Sequence, residues 1–275
     1  MNRSPIGIFD SGLGGLTVAG AVFHRLPNES TVYFGDTARV PYGPKSPATV
    51  RRYSLELHDW LLQQGVKLVV VACNTSTAHA MATLRERSPV PVLGVIEPGA
   101  RAAGRESKGG PIGVIGTAGT VASQAYVRAI HGVAPDRPVL QRACPLFVPL
   151  VEEGWFEHPA AELIAREYLA PLQAAGVDSL ILGCTHYPLL KPLLHRVLGP
   201  EVALIDSAEA TAAAVAATLA ERGLEAPPGH TPRHRFVVSD DAERFRTVGA
   251  RFLGERLGAV EVVEVGSEVS RTAAG

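Results

Sequence analysis

The chain has 275 residues, of which 46% are hydrophobic and 19% charged, with 26 Lys and Arg against 27 Asp and Glu. A near-neutral chain offers no electrostatic footprint for nucleic acid or an anionic membrane, and no window approaches the ~20 apolar residues of a membrane span. Three widely spaced cysteines with no CxxC argue against a disulfide framework or a structural zinc site and fit reduced thiols in a cytoplasm.

The N-terminus enters strand-like sequence directly, without the apolar stretch of a signal peptide. The first predicted strand, IGIFD (6–10), runs into DSGLGG (10–15), where Asp10 and Ser11 precede glycines that open a helix. Exposed N–H groups at such a helix start bind carboxylate or phosphate. A second strand, TVYFGD (31–36), leads into GDTARVPYG (35–43), a loop carrying Asp36, Pro41, Tyr42 and Gly43. An amphipathic helix follows over 46–65. The strand KLVVVAC (67–73) ends on Cys73, with Asn74 and Thr75 next.

Strands at 90–95 and 111–116 come next, and GVIGTAGTVAS (113–123) echoes GIFDSGLGGLTV (7–18). After a strand at 137–142, ACPLFVPLVEEGWF (143–156) carries Cys144, read as structural, and the acid pair Glu152 and Glu153. A helix over 158–176 precedes the strand DSLILGC (178–184), which ends on Cys184 before Thr185 and His186. Beyond it lie a strand at 201–206, an alanine-rich helix over 207–223, a turn-rich loop at 227–234, and strands at 234–239 and 259–265.

Near-continuous apolar strands separated by helices predict an α/β fold with mainly parallel sheets covered on both faces. The echoes predict two pseudo-symmetric α/β domains around a shared cleft. Asp10 precedes Cys73 by 63 residues and Thr117 precedes Cys184 by 67. The expected boundaries give 1–97 with 207–275 as the domain carrying Cys73, and 98–206 as the domain carrying Cys184. The tail then returns to complete the first domain.

In parallel α/β sheets, ligands sit beyond the carboxyl ends of the strands. A lone cysteine is most simply a small buried hydrophobe. Two cysteines in matching places of two matching halves call for another explanation. A helix N-terminus after each strand is expected to lower the thiol pKa and favour thiolate. One thiolate and one thiol on opposite faces of a substrate carbon could remove a proton from one side and return one on the other. That is racemisation or epimerisation, and the pair would titrate as a unit. Asp10 would assist Cys73, and His186 with Glu152 would assist Cys184.

The motifs DSGLGG, GDTARVPYG, ACNTSTA, GVIGTAGTV, CPLFVPLVEEG and GCTHYPLL, in this order, closely resemble those of bacterial glutamate racemase, within the aspartate/glutamate racemase family. The likeness runs from residue 6 to about residue 209. It implies a cofactor-independent, cytoplasmic isomerase, usually a homodimer, that makes D-glutamate for peptidoglycan. By this resemblance Cys73 and Cys184 are the catalytic thiols, and Asp10, Glu152 and His186 are auxiliary acid–base groups. The same resemblance puts substrate on Asp10, Ser11, Tyr42, Gly43, Asn74, Thr75, Thr185 and His186, with Thr117 and Thr120 lining the cleft.

Other readings stay open at this level. A racemase of the same superfamily could act on aspartate or another amino acid, since pocket length decides between them. A non-catalytic amino-acid binding protein would share the cleft but has no need of symmetric thiols. A pyridoxal enzyme needs a Schiff-base lysine, and none of Lys45, Lys67, Lys108 and Lys191 lies on a recognisable cofactor motif. A redox dithiol would normally show CxxC.

Overall fold

The computed structural model describes residues 2–254 and 257–266, so 267–275, the end of the tail assigned to the first domain, lies outside the described residues. The chain alternates strand and helix for most of its length. It runs β1 (Ile6–Asp10), α1 (Leu16–Arg25), β2 (Thr31–Gly35), α2 (Pro47–Gln63), β3 (Leu68–Val71), α3 (Asn74–Arg87), β4 (Val92–Gly94) and α4 (Ile96–Glu106). It continues with β5 (Ile112–Gly116), α5 (Ala118–Ala122), α6 (Ala125–His131), β6 (Val139–Ala143), α7 (Phe147–Glu152), α8 (Pro159–Ala174) and β7 (Ser179–Gly183). A 3₁₀ turn (Tyr187–Leu190), α9 (Lys191–Leu198), β8 (Ala203–Ile205), α10 (Ser207–Arg222), β9 (His234–Val238), α11 (Ala242–Leu253) and β10 (Val260–Val262) complete it.

All ten predicted strands are present, most ending a residue or two inside the expected limits. They form two sheets, in the orders β10-β9-β2-β1-β3-β4 and β6-β5-β7-β8, with every pairing parallel. The run β2-β1-β3-β4 has the same winding as β6-β5-β7-β8, which is the repeat heard in the sequence. In each, the chain reverses its direction of travel between the first and third strands. That reversal opens a crevice at the carboxyl ends of β1 and β3, and again at those of β5 and β7.

Burial on both faces explains the absence of alternation in the strand sequences: β1, β2, β3, β5 and β7 are buried at every residue. One face of the first sheet packs on α1, α10 and α11 through Leu16, Val22, Val215, Leu219, Phe245 and Val248. The other packs on α2 and α3 through Leu57, Leu61, Ala80 and Leu84. The second sheet is sandwiched between α7, α8 and α9 on one side and α4 and α6 on the other. Ser46 and Asp206 cap α2 and α10 through their side chains, which is why those helices begin where the sequence pattern says. Among the described residues no helix is long and apolar enough to cross a membrane.

Candidate functional site

Each crevice collects the motif residues of its own half. Asp10 closes β1, and Cys73 follows β3 as the N-cap of α3, its sulfur accepting from the Ser76 N–H at 3.4 Å. In the second half Thr117 follows β5 as the N-cap of α5, accepting from the Thr120 N–H at 3.2 Å, and Cys184 follows β7. The halves differ at the thiols. Cys184 is succeeded by a turn and then the 3₁₀ segment, so the second thiol does not cap an α-helix as the first does.

The two crevices face one another at close range. The loop after β1 lies against the Cys184 segment so tightly that a Cβ on Gly14 would sit 2.3 Å from Thr185 Oγ1 and 2.4 Å from His186 Nδ1. Thr17 Oγ1 lies 3.4 Å from the Thr185 carbonyl. On the other flank the Gly119 N–H donates to the Gly43 carbonyl at 2.9 Å, and a Cβ on Gly43 would meet Thr117 Cβ at 2.8 Å. Thr75 Oγ1 is 2.9 Å from Thr117 Oγ1 and 3.4 Å from Thr120 Oγ1. The Tyr126 hydroxyl donates to Asn74 Oδ1 at 2.7 Å. Thus Asn74 and Thr75 of the first half and Thr117 and Thr120 of the second share one wall.

Tyr42 is buried, and its hydroxyl donates to Asp36 Oδ2. Asp36 also takes Arg39 Nε at 2.7 Å and the Ser239 hydroxyl at 2.8 Å. This network holds the loop that presents Gly43. The role of Asp36 is not legible in the sequence, because its partners Tyr42, Arg39 and Ser239 meet only in the fold. Tyr33 likewise fixes the Ser11–Gly12 turn, its hydroxyl donating to the Gly12 carbonyl at 2.9 Å. Asp10 Oδ1 and Asn74 Nδ2 are buried without a hydrogen-bond partner. Such groups are costly unless something polar meets them, which favours a polar ligand at this wall.

The electrostatics at Cys73 are set by burial and by Asp10. Burial first, then the charge of Asp10, push the Cys73 thiol up to about 11. Hydrogen bonds from Ser76 and Ser11 lower it by less. This corrects the expectation that the helix N-terminus makes Cys73 a ready thiolate: desolvation of the charged form outweighs the helix end. Burial likewise raises Asp10, opposed by the His186 charge and by the N–H groups of Gly15, Gly12 and Ser11. Asp10 therefore interacts with both Cys73 and the Cys184 side.

At the second thiol, Cys184 Sγ lies 4.0 Å from His186 Nδ1, and His186 Nε2 lies 3.1 Å from Glu152 Oε1. Glu152, rather than its exposed neighbour Glu153, meets the imidazole. Burial opposes charge on His186, but its hydrogen bonds to Cys184 and Glu152 and their charges push it up to about 10. A histidine raised in the folded state adds stability in full below its unfolded value of 6.5, and loses it as pH rises toward 10. The melting-temperature gap between the parent and His186→Asn is therefore expected to narrow steadily from pH 6.5 to pH 10. A gap that is constant over that range would mean His186 is neutral.

Cys144 is buried and its thiol is pushed up to about 12, chiefly by burial, as suits a structural residue. A separate cavity of ≈ 340 Å³, lined by Thr77, Met81, Arg85, Glu97 and Arg128 among others, holds neither candidate thiol. The convergence of both motif sets, not cavity size, marks the candidate site. Among the described residues no group of three or more His, Cys, Asp or Glu is placed to hold a metal ion.

Residues 17–215 match the model of a family described as Asp/Glu/Hydantoin racemase. The chain is 54% identical over 263 residues to a glutamate racemase from Geobacter metallireducens, covering 96% of this chain and 97% of that one. Among solved structures, a glutamate racemase isoform from Bacillus anthracis superposes with a TM-score of 0.92 at 40% identity, covering 96% of this chain and 98% of the other. A glutamate racemase from Francisella tularensis, solved in complex with D-glutamate, superposes with a TM-score of 0.90 at 38% identity, covering the same shares.

Proposed function

The chain belongs to the Asp/Glu/hydantoin racemase family and, within it, to the glutamate racemases, and from that premise we propose that Cys73 and Cys184 interconvert L- and D-glutamate as a thiolate–thiol pair. The reaction is an isomerisation. One sulfur takes the Cα proton as thiolate, the other delivers its proton to the opposite face, and the pair exchanges protonation states with each turnover. The geometry splits the roles, and the family resemblance assigns D-glutamate to Cys73 and L-glutamate to Cys184, with Asp10 assisting the first and the Glu152–His186 pair the second.

The observation that carries this reading is that two buried thiols end matching strands of two repeated sheets, each with its own acid–base neighbour. With Cys73 held up to about 11, its thiolate forms only when a base such as Asp10 takes its proton or substrate charge compensates it. The pKa of a general base is tuned by such neighbours. Ser11, Asn74, Thr75, Thr185 and His186, with the backbone at Tyr42 and Gly43, hold the amino acid's charged groups. Thr117 and Thr120 complete the wall.

We also propose that 1–97 with 207–275 forms one domain and 98–206 the other. Membership of β9 and β10 in the first sheet supports the division. The product supplies peptidoglycan synthesis in the cytoplasm. A homodimer is the proposed assembly, and exposed Leu146, Trp155 and Leu163 around α7 and α8 offer apolar contacts for it. Light scattering reads the mass directly.

The test is direct. Protein dialysed exhaustively against chelator and hydroxylamine is expected to convert L-glutamate to D-glutamate at an undiminished rate, and to leave aspartate almost untouched. Loss of activity that pyridoxal phosphate or a metal restores would overturn the cofactor-free reading. Preference for aspartate would overturn the substrate.

A further inference from the structure

Helix α11 belongs by its packing to the first sheet, yet it reaches the second. Phe245, Val248 and Leu253 bury into the core beside α1 and α10. Arg244 and Arg251 are seven residues apart, about two helical turns, and so share a face. Both touch the last turn of α7. Arg251 Nη1 donates to the Glu152 carbonyl at 2.6 Å. Arg244 Nη2 lies 3.4 Å from Glu152 Oε2 and 3.7 Å from Glu153 Oε1. Next to Arg251, Phe252 sets its ring edge-on to His186, with centroids 5.7 Å apart at 86°.

Glu152 is thus held at both oxygens: Oε2 faces Arg244 and Oε1 faces His186 Nε2. His186 in turn offers Nδ1 to Cys184. We propose that Arg244 is a positioning residue for the Cys184 half of the reaction, acting through Glu152 to hold His186 toward the thiol. The inference rests on the two-thiol reading above. A carboxylate with one oxygen anchored cannot rotate freely, so its other oxygen stays on the imidazole. Arg244 is half-exposed, with 51% of its side chain accessible. Solvent screens such a pair, which holds the expected effect to about fivefold or less.

The test uses Arg244→Met, which keeps the aliphatic stem and removes the charge. The equilibrium constant between enantiomers is one, so kcat/KM for racemisation must fall equally in both directions, here about three- to fivefold. The side of the defect is read instead from irreversible elimination on a glutamate bearing a leaving group at Cβ, which needs only proton abstraction. Elimination from the enantiomer that Cys184 serves is expected to fall by the same factor, while the other enantiomer is unaffected. Arg244→Lys should recover part of the loss, and added salt should bring the parent toward the Met variant, because surface charges are screened.

If Arg244→Met slows elimination from both enantiomers alike, or from neither, the positioning role is wrong. Cys184→Ala is run beside it. Should that variant show no enantiomer preference in elimination, the two-thiol reading fails and takes this inference with it. A selective Cys184→Ala beside a non-selective Arg244→Met sinks the inference alone.

Discussion

Cys73→Ala and Cys184→Ala are each expected to abolish racemisation of glutamate in both directions. A general acid or base contributes about 10²–10⁴-fold. Racemisation needs both roles in every turnover, so losing either thiol stops the cycle whichever enantiomer is supplied. Elimination from a glutamate with a leaving group at Cβ needs abstraction alone. Each variant is therefore expected to eliminate from one enantiomer and not the other, with opposite preferences. In D₂O, the parent should place deuterium at Cα of the product from the first turnovers, while remaining substrate stays largely protonated. The returning proton comes from the second thiol, which has exchanged with solvent. Two variants with the same enantiomer preference, or product deuterium that lags far behind turnover, would defeat the two-thiol mechanism.

The second large effect is expected from a residue that does no chemistry. Gly14 carries the β1–α1 loop into contact with the Cys184 segment. An added Cβ would sit 2.3 Å from Thr185 Oγ1 and 2.4 Å from His186 Nδ1, well inside van der Waals contact. Gly14 is not among the glycines with positive φ, so alanine suits its backbone and the penalty is purely a clash. To relieve it, Thr185 and His186 must move, and the loop bearing Asp10 and Ser11 must draw back. Misplacement of reacting groups by about 1 Å can cost about a hundredfold. Gly14→Ala is accordingly expected to lower kcat/KM by about that factor while the protein still folds, as judged by its circular dichroism and cooperative melting. A variant with near-parent activity would show that this close approach is not needed for turnover.

Much of the architecture was legible before any coordinates. Strands buried on both faces read as unbroken apolar runs, such as LVVV in β3 and SLILG in β7. The amphipathic stretch over 46–65 and the alanine-rich stretch over 207–223 announced α2 and α10. The doubling of the motif order announced the doubled winding of the sheets. These features are local or repeat along the chain, so the sequence alone carries them.

What the sequence by itself determined, then, was the set of residues that could do chemistry and the strand ends on which they stand. Tertiary structure decided what meets what. Thr75 meets Thr117 across 42 positions of chain, and Arg244 touches Glu152 across 92. Neither separation follows a helix or strand period. It decided as well that Cys73, despite its place at a helix start, is held as a thiol, because burial and the charge of Asp10 outweigh the helix end. It gave Asp36 and Tyr33 their work of fixing the loops that carry Gly43 and Gly12. Periodicity and caps are properties of neighbouring residues, whereas pKa values and hydrogen-bond partners depend on which distant groups share a low-dielectric site, and only the folded chain brings those together.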